Sequence, residues 1–183
     1  MKFASRNRWI IVAIAHYITI LLFTQLNFYI APFGISVLIT GMLLSFSSLT
    51  LNHLQGSFSL IPVAFLIDTK TPFPFGSSLL TLIGLHYIAV LVRYRLRRES
   101  EGASLATALA ANLAIYIIYS FLAAANLGTE GINAFQIAMN LLISSLVIAL
   151  INLHYQRALI EILGVFGINI AQEQRHSRWI RKT

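Results

Sequence analysis

Asp68 is the residue in this chain whose chemistry most needs an explanation. It is the only acidic residue before Glu99, and it closes an apolar run. A carboxylate so near hydrocarbon is costly unless something compensates it. It would end a helix, where the helix dipole disfavours an anion, so it needs another partner. After a turn punctuated by Pro72, Pro74 and Gly76, a second apolar run begins at Ser77 and Ser78. The carboxylate can turn across that loop and accept the N–H groups of Gly76, Ser77 and Ser78, at the positive start of the next helix. The other reading is a solvated loop acid beside Lys70.

The remaining polar candidates are His16, His86, Asn112, Asn140, Ser144 and Ser145, all inside apolar runs. Such side chains commonly hydrogen-bond between helices, for about 0.6 kcal/mol each. Two histidines with no carboxylate or thiol beside them make a poor metal set, so neither a metal nor a cofactor is expected. There is no G-x-S-x-G, no H-E-x-x-H, no carboxylate pair and no phosphate loop, so the chain is not expected to be an enzyme.

The elements that position these residues follow from composition. Of 183 residues, 57% are hydrophobic and 10% charged, and the mean hydropathy is +0.77. That is too little charge to cover a soluble globule, so the fold class expected is all-α, a single polytopic membrane domain. Cysteine is absent, which removes disulfides and thiolate sites. Hydropathy predicts about six spans, near residues 9–26, 29–51, 54–67, 77–92, 103–125 and 133–153, followed by a basic tail over 154–183. The stretch Gly56–Arg98 reads as a membrane hairpin around which the others are organised. Its first arm is short, so it leans on a thinned bilayer or its turn dips below the lipid surface. Pro32 and Gly34 interrupt the second span near its start, and Ser77 and Ser78 are candidate caps for the fourth.

Six spans place both termini on one side. Of thirteen Lys and Arg residues, all but Lys70 then fall on the side of the termini, and the positive-inside rule makes that side cytoplasmic. The net charge of +7 is thereby explained without nucleic acid. The cluster Arg93, Arg95, Arg97 and Arg98 reads as a topology signal, with recognition of anionic lipid or an acidic partner as the alternative. Trp9, Tyr94 and Tyr155 suit an inner aromatic belt, and Tyr29, Phe73, Phe75 and Tyr119 an outer one. Ala106, Ala110 and Ala114 repeat every four residues, so they form a smooth stripe, either an internal helix contact or a docking face.

At the central hairpin the sequence resembles the rod shape-determining MreD family. The likeness rests on an apolar helix ending in Asp68, a turn with Pro74 and Gly76 in IDTKTPFPFG, and an apolar helix ending in a basic cluster. Chain length, span number and basic ends also match. Ala64 stands where the family often has glycine, and it is small enough to keep helices close. The resemblance implies a non-enzymatic subunit of the cell-elongation machinery in the bacterial inner membrane. Its implied partners are the single-span protein MreC, the actin-like MreB, and the membrane glycosyltransferase and transpeptidase that build the wall. The same layout is similar to the substrate-binding membrane subunit of an energy-coupling-factor vitamin transporter. In that alternative Asn133, Gln136 and Asn140 would line a solute pocket.

Overall fold

In the computed structural model, which describes residues 7–93, 101–127 and 133–168, all the regular structure is helical. Among the described residues six α-helices follow one another: α1 (Arg8–Ile30), α2 (Thr40–Thr50), α3 (His53–Asp68), α4 (Ser77–Arg93), α5 (Glu101–Leu127) and α6 (Ala134–Val165). Three segments, Arg8–Phe33, Gly102–Asn126 and Ala134–Val165, are each long and apolar enough to cross a membrane. The chain is a helical membrane protein. Exposed apolar side chains such as Leu22, Leu80, Leu142 and Leu150 face outward along these helices, as a lipid solvent requires.

The second predicted span does not form as one helix. Ala31–Phe33 is a 3₁₀ turn with Pro32 at its start, and Gly34 follows in the left-handed region at φ 71°. That geometry stops the helix, and the backbone runs without helical structure from Ile35 to Ile39 before α2 begins.

The helix α2 has 11 residues, and every one from Thr40 to Leu49 is buried. It packs against α3, α4 and α5 and also touches α1 and α6. It is therefore the hub of the bundle, and the α3–α4 hairpin is organised around it rather than the reverse. Gly41 makes this possible: a Cβ there would run into the Ala108 carbonyl and the Asn112 backbone nitrogen on α5. Gly56 does the same for α4, since a Cβ would meet the His86 ring. In a bilayer, helix association depends on such close approach, because hydrocarbon gives no hydrophobic drive between helices.

The core has two parts. One, toward the α3–α4 turn, gathers Met42, Leu43, Leu60, Val63, Ala64, Leu82, Ala108, Ile115 and Ile148. The other gathers Val12, Phe46, Leu51, Leu159 and Leu163 at the end that carries Arg8 and Arg93. These ends are called the hairpin side and the basic side below. The second cluster corrects a boundary: residues 154–165, expected in a tail, continue α6, because Leu159 and Leu163 are buried against α1 and α2.

Candidate functional site

Asp68 ends α3 and is buried, at 5% exposure. Its Oδ2 accepts the Gly76 N–H at 2.8 Å, and its Oδ1 accepts the Ser78 N–H at 2.9 Å. The carboxylate thus occupies the positive end of α4 and ties the two arms of the hairpin together. Ser77 is not part of the clasp: its N–H donates to the Pro74 carbonyl at 3.1 Å, and its buried hydroxyl has no partner. Neither serine caps its own helix, because the carboxylate of another helix takes that role. Gly76 makes the turn at φ 96°. The clasp is anchored to α5, where the Tyr119 hydroxyl donates to Ser78 Oγ at 2.9 Å and its ring packs on Phe73.

A second polar group surrounds the non-helical stretch that precedes α2. Asn27 exchanges two hydrogen bonds with Val37, the Ser36 N–H donates to Asn140 Oδ1 at 3.0 Å, and the Leu38 N–H donates to Ser144 Oγ at 2.9 Å. Gln136 Nε2 donates to the Gly34 carbonyl at 3.2 Å, and Tyr116 contacts Ser144 Oγ at 2.9 Å. Side chains from α1, α5 and α6 therefore replace the bonds a helix would have made. This is the condition for keeping irregular backbone at membrane depth. Asn133 is occupied in its own helix, where its side chain accepts from the N–H groups of Phe135 and Gln136.

Toward the basic side, two adjacent serines of α2 each meet a histidine. His16 lies between Ser47 Oγ, 2.9 Å from Nε2, and the Tyr155 hydroxyl, 2.5 Å from Nδ1. Ser47 continues to Ser59 Oγ at 2.8 Å, which joins α6, α1, α2 and α3 in one chain of bonds. His86 Nδ1 lies 2.8 Å from Ser48 Oγ, and its Nε2 faces the His53 carbonyl at 3.2 Å. Both nitrogens of each ring thus have protein partners, and these rings act as cross-links between helices. The carboxy end of α2 is closed by Arg93, whose Nη1 donates to the carbonyls of Ser48 and Leu51 at 2.9 and 2.7 Å. A guanidinium at a helix carboxy end is favourable on charge as well.

Arg93 is thus buried inside the bundle rather than displayed as part of a surface basic cluster; Arg95, Arg97 and Arg98 lie outside the described residues. Of the alanine stripe, Ala106 and Ala110 are exposed and Ala114 is half-buried, while Ala108, Ala111 and Ile115 make the contact with the core. The stripe faces away from α2. Tyr119 and Tyr155, expected in interfacial belts, instead hydrogen-bond between helices, while Tyr29 and Phe75 are exposed. Asn112 is fully buried with neither amide atom bonded. Asn27, Tyr116 and the capping by Arg93 were not anticipated from sequence, because each acts on backbone far away in the chain. No protein-family model matches the chain, and no curated protein or solved structure matches it significantly.

Proposed function

We propose that this protein is a non-enzymatic subunit of the bacterial cell-elongation machinery in the inner membrane. In this reading it holds a single-span partner of the MreC kind, and through it MreB and the paired glycosyltransferase and transpeptidase. The observation that carries the reading is the clasp of Asp68 on Gly76 and Ser78. It lies in the IDTKTPFPFG segment on which the resemblance rests, and it gives those residue types a job in building a rigid hairpin. A subunit that works by assembly needs rigid faces, and exposed Ala106 and Ala110 on α5 offer a smooth one to a partner helix.

The transporter alternative draws less support. The side chains it needs for a solute are engaged by this chain's own backbone, with Gln136 on Gly34, Asn140 on Ser36 and Asn133 on its own helix. The assembly reading is tested by a photo-crosslinking residue placed at Ala110 in the native membrane, with Leu146 on α6 as the comparison site. Adducts to a single-span, coiled-coil protein from position 110 are expected, and adducts to a membrane coupling subunit would overturn the reading.

A further inference from the structure

The two arms of the hairpin are short. With 16 and 17 residues, α3 and α4 are about 24 and 25 Å long, less than the roughly 30 Å of a hydrocarbon core. Their neighbours rise past them. The bond from Tyr119 to Ser78 sets the start of α4 level with Tyr119, and α5 then continues from Ser120 to Leu127, about 12 Å farther. On α6, Ser144 is level with Tyr116, and exposed Phe135 stands roughly 14 Å beyond it. The apolar surface of α5 and α6, with Phe121 and Phe135 both more than 70% exposed, therefore extends above the turn.

The turn is built for such a place. Of the eight N–H groups from Thr69 to Ser78, six donate to protein acceptors, those of Phe73 and Phe75 being the exceptions, and Pro72 and Pro74 have none to donate. Its exposed residues are Thr69, Lys70, Pro72, Pro74 and Phe75, and the Phe75 ring stacks on Phe65 of α3 with centroids 5.5 Å apart. Internal bonding of most of its backbone donors is what lets a turn enter lipid. Lys70, exposed at the tip, is the one cation that the sequence places on this side of the membrane.

We propose that the 69–76 turn is seated inside the adjoining lipid leaflet, which thins around it, and that Lys70 reaches up to the phosphate of a phospholipid. A long ammonium side chain with an apolar stem is suited to that reach, and the mismatch of a few ångströms costs only fractions of a kcal/mol per Å.

Because the chain has no cysteine, single nitroxide labels can be placed cleanly. The test uses the full chain in phosphatidylethanolamine and phosphatidylglycerol vesicles, with Phe75→Cys, Lys70→Cys and Asn126→Cys labelled in turn. Collision with oxygen is expected to exceed collision with a water-soluble nickel chelate several-fold at position 75. Position 70 should be intermediate, and position 126 should favour nickel. Nickel access at 75 equal to that at 126 would overturn the proposal. So would exclusion of both reagents from 75, which would mean that protein rather than lipid covers the turn. If the Phe75 variant does not insert, the comparison of 70 with 126 decides alone: equal nickel access at both rejects the seating.

Discussion

Asn27 and Val37 are bonded to each other as two strands of a sheet would be: Asn27 Nδ2 donates to the Val37 carbonyl at 2.8 Å, and the Val37 N–H donates to Asn27 Oδ1 at 2.7 Å. One side chain thereby satisfies both main-chain groups of a residue that has left the helix. The arrangement lets α1 hand the chain to a short central helix inside the bundle.

Replacing Asn27 with leucine leaves both Val37 groups without partners. Unsatisfied buried groups cost about 1–3 kcal/mol each. Asn27→Leu is therefore expected to lower the thermal midpoint in detergent clearly, whereas Asn126→Leu, whose exposed amide bonds to the Leu122 carbonyl of its own helix, should change it little. Circular dichroism melts of the two variants provide the comparison.

The Asp68 clasp predicts a graded series. Hydrogen bonds to a charged group contribute about 1.5–3 kcal/mol, and Asp68→Asn keeps one acceptor while turning an N–H₂ toward a donor. The variant should lose on the order of 2 kcal/mol, and Asp68→Ala more. Gly76→Ala should lose about 1–2 kcal/mol for conformational reasons alone, because a Cβ there meets nothing within 4 Å but φ is 96°. Chemical denaturation in mixed micelles measures all three, and an unaffected Asp68→Ala would contradict the clasp.

Three glycines separate close packing from helix propensity. Gly41→Ala and Gly56→Ala push a methyl group into the α5 backbone and the His86 ring respectively, while Gly84→Ala on α4 enters open space. The first two should destabilise, Gly41→Ala by more than about 2 kcal/mol because the obstructing atoms are backbone. Gly84→Ala should be neutral or stabilising by up to about 1 kcal/mol.

Asn112 gives the opposite sign. Its amide is buried beside Gly41 without a hydrogen bond, so a leucine of similar shape removes a desolvated polar group. Asn112→Leu is expected to match or exceed the parent in thermal stability. A drop of more than about 1 kcal/mol would show that the amide has a partner, such as an internal water.

The membrane class, the hairpin and the Asp68 clasp could be read from the sequence because each has a local signature: apolar runs, a turn punctuated by prolines and one isolated acid. The breaking of the second span was half legible. Pro32 and Gly34 mark the place, but the chain can stay unwound there only because Asn27, Asn140 and Ser144 arrive from other helices. The same reason hid Arg93, which reads as a topology signal in sequence and closes α2 in the fold. The alanine stripe shows the limit from the other side: its spacing defined a smooth face, but only the packing of Ala108 and Ile115 on α2 fixed which way it points.

Whether the protein works by assembly is decided by purifying the tagged full chain from its native membrane in mild detergent. The partners that come with it are then identified. Assembly within the elongation machinery predicts a single-span coiled-coil protein together with wall-building glycosyltransferase and transpeptidase. A membrane coupling subunit with paired ATPases would contradict it.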